Sequence, residues 1–177
     1  MITTPPLPDT YWVLPGKLLA GPYAGSREVD KTQQRLAALL DVGVRRFINL
    51  TQVDEFGSAG PVIPYERALY ELAKQRDVDV SYHRLPIAEG CVPTPTRMRA
   101  ILFTIYNGVA SGETVYVHCR AGHGRTALVV GCYLVDNGWP RETVLDQVQT
   151  LRSHTTTPLK GPEPGPQSRM VRAWGSE

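Results

Sequence analysis

The sequence lacks a long apolar run, a secretory leader and a strong excess of charge of either sign. No stretch reaches the roughly 20 apolar residues that a helix needs to span a bilayer. The first residues, with Pro5, Pro6 and Pro8, lack the basic and apolar segments of a leader. The 19 basic and 17 acidic residues leave a net charge of +2, which argues against bulk attraction to nucleic acid or membranes. We therefore expect a cytoplasmic protein with no nucleic-acid or membrane partner.

Cysteine is also scarce. The chain contains 3 cysteines, Cys91, Cys119 and Cys132, and their spacing matches neither a disulfide framework nor a structural zinc site. This usage is typical of free thiols in a reducing compartment. We expect no bound metal. The oligomeric state is left open.

Length and composition favour one globular domain. The 177 residues are 42% hydrophobic and 20% charged, within the ordinary range for a soluble protein. A chain of this length buries a substantial core but is short for two domains. We expect a single domain over residues 1–177, in which residues 1–10 form an extended N-terminal arm.

Hydrophobic periodicity predicts strands that alternate with helices. The predicted strands are a hairpin over 11–21, with Pro15-Gly16 as its turn, and single strands over 44–50, 78–87 and 114–118. The predicted helices cover 30–41, 65–75, a segment that begins at Pro95 with Thr94 as its cap, 127–135, a segment that begins at Pro140, and 168–174. This alternation indicates an α/β sandwich with a mostly parallel central sheet flanked by helices.

The segment 117–126, VHCRAGHGRT, carries the most chemical information. It joins a buried strand to a buried helix, so its backbone amides gather at a helix N-terminus, where anions and a thiolate at Cys119 are favoured. Gly122 and Gly124 let the backbone turn tightly around a phosphate. Arg125 offers a planar fork that matches two phosphoryl oxygens. The phosphate-binding residues predicted here are Arg120, Ala121, Gly122, His123, Gly124 and Arg125.

The pattern HCxxGxGRT resembles the Cys-x5-Arg signature of the protein tyrosine phosphatase superfamily. The chain is similar to its compact dual-specificity branch, in particular to the kinase-associated phosphatase type and to small bacterial dual-specificity-like phosphatases. The resemblance includes HRLPIAEGCVP at 83–93, VVGCYL at 129–134, and Pro166-Gln167 with Val171 and Trp174, and it covers most of residues 11–174. It implies a cysteine-based phosphatase fold for the whole domain.

The resemblance also implies catalytic roles. Cys119 would be the nucleophile of a phosphocysteine mechanism, and Arg125 would hold the phosphoryl group. The family places an aspartate as general acid about where Glu89 stands, in PIAEG. Glutamate has the same chemistry, but its extra methylene moves the carboxyl group, and such a shift can cost about 10²-fold in rate. Asp79, Asp54 and Glu55 are the alternatives.

Three further residues have supporting roles by resemblance. His118 would orient the loop, and the Thr126 hydroxyl would lie near the sulfur and help the thiolate leave. Gln167 matches the tail glutamine that orients the hydrolytic water, with a solvated loop glutamine as the alternative. No metal or organic cofactor is implied: His118, Cys119 and His123 lie in a glycine turn without a fourth ligand.

The predicted activity is hydrolysis of phosphotyrosine in a phosphorylated protein, with some activity on phosphoserine and phosphothreonine. A second enzymatic possibility is a non-protein substrate, such as a phosphoinositide or an RNA 5′ phosphate, because Arg120 and His123 add positive charge at the loop. A non-catalytic phosphate-binding module is the alternative outside enzymes. A rhodanese-type sulfurtransferase also places a cysteine before a helix, but Arg125 with two glycines fits phosphate better.

Overall fold

The computed structural model of the protein describes residues 4–156 and 159–175, so the first three residues of the predicted N-terminal arm lie outside it. The elements are β1 (Tyr11–Leu14), β2 (Leu18–Gly21), α1 (Val29–Asp41), β3 (Val44–Asn49), β4 (Phe56–Gly57), β5 (Gly60–Pro61), α2 (Glu66–Gln75), β6 (Ser81–Arg84), α3 (Pro95–Ala110), β7 (Thr114–His118), α4 (Arg125–Asp136), α5 (Val144–Leu151) and α6 (Pro166–Ala173).

One five-stranded sheet, in the order β1-β2-β7-β3-β6, forms the centre of the fold. The β1–β2 hairpin is antiparallel, and the β2–β7, β7–β3 and β3–β6 pairs are parallel. The expected α/β architecture with a mostly parallel sheet is therefore confirmed. The carboxyl ends of β3, β6 and β7 lie at the same edge, where the crevice of a parallel sheet forms.

Helices cover both faces of the sheet, and alternate residues of β7 point to opposite cores. Val115 and Val117 contribute to a core with α3, α4, α5 and α6, while Tyr116 packs into a second core with α1 and α2. All five residues of β7 are buried. A strand covered on both faces is nearly continuously apolar, which is why 114–118 could be recognised from the sequence.

Several element boundaries differ from the predicted ones. The predicted strand 78–87 is a regular strand only over Ser81–Arg84, although the Leu85 and Ile87 amides still donate to the Asn49 and Leu50 carbonyls at 2.9 and 3.0 Å. The helix predicted from Pro140 begins at Val144, because residues 140–143 form a turn in which the Thr143 amide donates to the Pro140 carbonyl at 3.2 Å. The predicted Thr94 cap is confirmed, since its side chain accepts from the Arg97 amide. The loop 51–64 also contains the short β4–β5 hairpin, for which Gly57 and Gly60 were the available signal.

Candidate active site

The segment from Cys119 to Arg125, called the Cys119 loop below, connects β7 to α4 at the centre of the sheet edge. Gly124 is the N-cap of α4 and makes no side-chain cap, so the first amides of the helix remain open to an anion. Gly122 has a φ of 78°, and a Cβ there would lie 2.7 Å from the Gly21 carbonyl carbon and the Pro22 nitrogen. Glycine is therefore required at this position by both conformation and space.

The amide of Gly122 turns toward the Cys119 sulfur. Sγ accepts a hydrogen bond from the Gly122 amide at 3.2 Å, and Cys119 is only 2% exposed. An amide donor and a helix N-terminus both stabilise negative charge nearby. The Thr126 hydroxyl, expected near the sulfur, donates in this structure to the Gly21 carbonyl at 3.5 Å.

A buried carboxylate clamps Arg125. Its Nη1 donates to Glu55 Oε2 at 2.6 Å and its Nη2 to Glu55 Oε1 at 2.5 Å, while Nη1 also donates to the Ile87 carbonyl at 2.9 Å. A guanidinium has about five N–H donors in a rigid fork. The partners found here leave Nε–H and one Nη2–H, which lie on one edge and can hold two phosphoryl oxygens.

Glu55 is therefore a positioning residue for Arg125. Burial is the largest influence and raises the pKa of its carboxyl. The hydrogen bonds from Arg125 and the Gln52 amide, with the charges of Arg125 and Arg120, together outweigh burial and hold that pKa below its usual value. An ionised carboxylate turned toward a guanidinium is not a proton donor, so Glu55 does not suit the alternative acid role. The sequence placed Glu55 only in a loop, because the contact with Arg125 spans 70 residues of chain.

His118 supports the loop from below. It is completely buried, its Nδ1 lies 3.0 Å from the Cys119 carbonyl oxygen, and its Nε2 lies 2.6 Å from the Tyr65 hydroxyl. A carbonyl only accepts, so we assign the proton to Nδ1, and the Tyr65 hydroxyl donates to Nε2. Burial lowers the pKa of His118 to about 4, so the ring is neutral at pH 7. Its expected orienting role agrees with these contacts.

Two carboxylates, those of Glu89 and Glu163, lie at the exposed side of the Cys119 loop, which is called the rim below. The cavity above the sulfur is lined by Glu89, Cys119, Arg120, Ala121, His123, Gly124, Arg125 and Glu163. The Glu89 side chain is 49% exposed and pairs with Arg120 Nη2. The structure thus brings the expected acid, nucleophile and phosphate-binding arginine to one cavity.

The alternative acids lie less favourably. Asp79 precedes β6, so it lies near the amino end of a strand parallel to β7, whereas the Cys119 loop follows the carboxyl end. Asp54 is exposed in the loop beside Glu55 and does not line the cavity. Among the carboxylates named from the sequence, Glu89 alone lines the cavity over Cys119.

Arg120 and His123 contribute less positive charge than the sequence suggested. The Arg120 guanidinium pairs with Glu89, and its Nε lies 3.6 Å from Glu55 Oε1, so two carboxylates offset its charge. His123 is half-buried, and burial, followed by the nearby charge of Arg152, lowers its pKa. The argument for a phosphoinositide based on these two side chains is correspondingly weaker.

Gln167 makes backbone contacts at both ends of its amide. Its Nε2 donates to the Cys91 carbonyl at 3.3 Å, and its Oε1 accepts from the Glu163 amide at 3.0 Å. Gln167 is 1% exposed, so it ties the loop that carries Glu89 to the start of α6. This arrangement is different from the solvated glutamine that was the alternative.

Glu163 is the site residue that the sequence did not reveal. Its Oε1 lies 2.6 Å from the position that a Cβ on Gly124 would occupy, so the carboxylate packs directly over the Cys119 loop. It lies in a segment rich in proline and glycine, GPEPGP at 161–166, whose path no hydrophobic pattern predicts.

Two further observations concern metal sites and membrane-spanning helices. Within residues 4–156 and 159–175, no group of three or more His, Cys, Asp and Glu side chains is placed to hold a metal ion. Over the same residues, no helix has the length and apolar character that crossing a membrane requires.

Known proteins resemble this chain over most of its length. The family model described as "Swiss Army Knife protein, DSP-PTPase phosphatase domain" matches residues 8–161. Dual specificity protein phosphatase CDC14B of Mus musculus is 25% identical over 159 residues, which is 88% of this chain and 29% of that protein.

A shorter match is closer in sequence. Phosphatidylglycerophosphatase and protein-tyrosine phosphatase 1 of Mus musculus is 41% identical over 46 residues, which is 25% of this chain and 24% of that protein. The matches thus span less than a third of each relative. The structure of kinase associated phosphatase (KAP) superposes with a TM-score of 0.66 at 18% identity, covering 90% of this chain and 85% of that one. At this identity the likeness shows the fold.

Proposed function

The chain belongs to the DSP-PTPase family of the protein tyrosine phosphatase superfamily, and from this we propose that it hydrolyses phosphomonoesters through a phosphocysteine on Cys119. The family supports a phosphatase of the protein-tyrosine or dual-specificity type. One observation carries the mechanism: the Cys119 sulfur accepts an amide hydrogen bond in the same loop that presents the free edge of Arg125.

In the first step, the Cys119 thiolate attacks phosphorus, so that an S–P bond forms and the bond to the leaving oxygen breaks. The loop amides and the free edge of Arg125 hold the equatorial oxygens, whose charge develops in the transition state. Glu89 gives its proton to the leaving oxygen. In this structure Glu89 is ion-paired with Arg120, so its carboxylate must first take up a proton from solvent. An incoming phosphoryl dianion offers Arg120 a competing partner, which leaves the half-exposed carboxylate of Glu89 free to take up that proton, unlike the buried carboxylate of Glu55.

In the second step, water attacks phosphorus, the S–P bond breaks, and the electron pair returns to the sulfur. Glu89, now a carboxylate, takes the proton from the water. Gln167 acts on this step by holding the loop of Glu89 against α6, through its bonds to the Cys91 carbonyl and the Glu163 amide. No cofactor takes part.

The substrate that we propose first is phosphotyrosine in a phosphorylated protein, with some activity on phosphoserine and phosphothreonine. The name of the relative that matches 88% of this chain, a dual specificity protein phosphatase, supports this choice. Residues 1–177 would act as one phosphatase domain. The free thiols Cys91, Cys119 and Cys132 favour a cytoplasmic location.

A phospholipid or another non-protein phosphomonoester is the second candidate. The relative that is 41% identical over 46 residues is named for both phosphatidylglycerophosphate and phosphotyrosine. Rates measured on phosphotyrosine, phosphothreonine, phosphoinositide and nucleotide substrates would separate the two candidates.

Replacement of the nucleophile tests the mechanism. Cys119→Ser should lower turnover by more than about 10³-fold, as expected for loss of a nucleophile, while phosphate analogues still bind the amide cradle. The exposed thiol offers a matched control, since Cys91→Ser should retain activity. Appreciable hydrolysis by Cys119→Ser, or the absence of any phosphoenzyme on Cys119 when wild-type turnover is quenched rapidly with denaturant at neutral pH, would contradict the covalent mechanism.

A further inference from the structure

A second and larger cavity adjoins the Cys119 loop. Its volume is about 410 Å³, and it lies between the segment 22–28, Arg35 of α1, and the segment 57–63 of the β4–β5 hairpin. Arg120 lines both this cavity and the one above Cys119. We call it the basic cavity. Its volume is within the range of about 300–1,000 Å³ that is typical of ligand sites.

Tyr23 connects the wall of the basic cavity to the Cys119 loop. Its amide donates to the Arg120 carbonyl at 3.0 Å, and its hydroxyl donates to the Ile63 carbonyl at 3.1 Å. Its ring also packs edge-on against His118, with 5.3 Å between centroids. The same contacts therefore hold the wall, the hairpin segment and the loop in one arrangement.

Two glycines of the hairpin make room for arginines. A Cβ on Gly57 would lie 3.1 Å from Arg120 Nη1, and a Cβ on Gly60 would lie 1.9 Å from Arg27 Nη2. Gly60 also has a φ of 105°, which side chains rarely adopt. The hairpin backbone thus passes close to both guanidiniums at two positions that carry no side chain.

The charge of the basic cavity is predominantly positive. Its lining contains the guanidiniums of Arg27, Arg35 and Arg120 and one carboxylate, that of Glu28. Glu55 and Glu89 offset the charge of Arg120. In the part of the chain that the structure describes, neither Arg27 nor Arg35 is within 4.0 Å of a carboxylate oxygen. Within those described residues, the hydrogen bond that Arg35 donates goes to the Gly25 carbonyl, at 3.0 Å.

We propose that the basic cavity binds a second phosphoryl group of the substrate while the first lies above Cys119. This inference rests on the proposed function and specifies its substrate class: a molecule with two phosphomonoesters. Guanidiniums bind phosphate oxygens in bidentate, charge-assisted pairs, and Arg27 and Arg35 retain the donors for this. Arg120, between the two cavities, contacts either phosphate. The second phosphate can belong to a neighbouring residue of a phosphopeptide or to another position of an inositol ring.

Binding to Cys119→Ser tests the basic cavity independently of turnover. Calorimetry would compare a phosphotyrosine peptide with the same peptide carrying a phosphoserine one, two or three residues away, and an inositol monophosphate with a bisphosphate. Charge-assisted hydrogen bonds are among the stronger ones, so we expect the doubly phosphorylated member of at least one pair to bind about tenfold more tightly. The pair that shows the difference identifies the source of the second phosphate.

Variants of α1 and the preceding loop localise the effect. Arg27→Ala in the Cys119→Ser background should bring the affinity ratio of the responsive pair close to one, and Arg27→Glu should reduce it further. Lys31 is exposed on α1 and does not line the cavity, so Lys31→Ala should keep the ratio. Because Arg27 is exposed and packs over a glycine, its loss should not disturb folding.

Equal affinity within both pairs would overturn the proposal, and so would a ratio that survives Arg27→Glu. The proposed function fails differently. If wild-type protein hydrolysed no phosphomonoester but kept the Arg27-dependent binding ratio, the basic cavity would stand as a phosphate site and the catalytic proposal would be wrong. If hydrolysis occurred without any ratio, only the second phosphate site would be wrong.

Discussion

The buried side of the Cys119 loop and its exposed rim are built on different physical principles. On the buried side, His118, Arg125 and Glu55 are each less than 10% exposed, and fixed hydrogen bonds hold them. On the rim, the Arg120 and Glu89 side chains are 30% and 49% exposed, and they form a direct ion pair with one another at the surface. Buried networks remain in place during the reaction, whereas exposed ion pairs exchange readily.

This difference suggests a division of labour. Groups that must stabilise charge in the transition state gain most from preorganisation in a dry environment. Groups that must take up and release a proton, or adapt to different leaving groups, need access to water and to substrate. We therefore expect substitutions on the buried side to lower both the stability and the activity on every substrate. Substitutions on the rim should lower the activity by an amount that depends on the substrate.

The largest effect should come from the buried clamp on Arg125. Glu55→Gln keeps the shape of the side chain but removes its charge, so the Arg125 cation remains buried without a counter-ion. Breaking a buried ion pair costs about 3–5 kcal/mol of stability. A shift of the guanidinium of about 1 Å should lower kcat/KM by about 10²-fold on every substrate. Urea unfolding and steady-state kinetics measure the two effects.

The adjacent residue provides the matched control for Glu55. Asp54→Asn removes the same charge from an exposed position, and asparagine tolerates the φ of 58° found there. It should leave stability and rate nearly unchanged. Equal damage from both variants would mean that the loop as a whole, and not the clamp, supports the site.

The next largest effect concerns Glu89 on the rim. Glu89→Gln should slow phosphotyrosine peptides or alkyl phosphates by about 10²-fold, because a poor leaving group needs protonation. The rate of hydrolysis of an activated aryl phosphate should fall much less, and the basic limb of the pH–rate profile should disappear. Glu89→Asp would show whether the site has adapted to the longer side chain: if so, aspartate should be slower.

Glu163→Gln is the control for Glu89, because it removes the other carboxylate of the same cavity. It should keep the basic limb. If Glu89→Gln left both the leaving-group dependence and the basic limb intact while Glu163→Gln altered them, the acid would be Glu163.

A moderate effect on stability should come from His118. Its pKa is about 4 in the folded protein, against an ordinary value near 6.5. Between these values the unfolded chain binds a proton that the folded protein does not, so stability falls as the pH falls through this window, by at most about 1.4 kcal/mol per pH unit. His118→Gln should make the midpoint of thermal unfolding less sensitive to pH between about 6.5 and 4.

Protonation of Glu55 should add a separate decline in stability at lower pH. Because the pKa of Glu55 is lowered in the folded protein, its stabilisation is lost as the pH falls from the ordinary carboxyl pKa to that lowered value. His154→Gln serves as the control for His118, since His154 is exposed, with Nε2 2.9 Å from the Thr10 carbonyl oxygen. A pH dependence unchanged in His118→Gln would contradict the assignment of a neutral, buried ring.

The smallest effect should come from Gln167. Gln167→Ala frees the Cys91 carbonyl and the Glu163 amide, and we expect kcat to fall by about 3–10-fold through a looser Glu89 loop, with KM little changed. Arg169→Ala, on the exposed side of α6, is the matched control. If phosphoenzyme accumulated strongly in Gln167→Ala, the residue would orient the hydrolytic water directly, as the family resemblance implied.

Much of the fold was predictable because its signals are local. The buried strand 114–118 and the helix that follows it are nearly continuous apolar runs, and Thr94-Pro95 specifies a helix start through a cap and a fixed φ. The start of α5 was predicted too early, since Pro140 begins a turn and not the helix. Strand 78–87 was predicted too long, because the alternation begins at Val78, before the pairing with β3 begins at Ser81. After Arg84 the Leu85 and Ile87 amides still bond to the continuation of β3, but the segment is no longer a regular strand.

For the site residues too, what could be predicted depends on their separation along the chain. The phosphate cradle can be predicted from spacing and chemistry, because its residues lie in one short loop: Cys119, Gly122, Gly124 and Arg125. Glu55, Glu163 and the basic cavity depend on segments that are distant in sequence and close in space. Side-chain contacts across 70 residues leave no periodic signal in the chain.

The sequence by itself determined an α/β domain, a cysteine loop at a helix N-terminus, and an arginine for phosphate, because sterics, hydrogen bonding and the helix dipole act between near neighbours in the chain. Only the tertiary structure decided which edge of Arg125 stays free, which carboxylate clamps it, and which carboxylates remain at the rim. Those choices depend on burial, since a glutamate side chain is an exposed rim carboxylate at position 89 and a buried counter-ion at position 55.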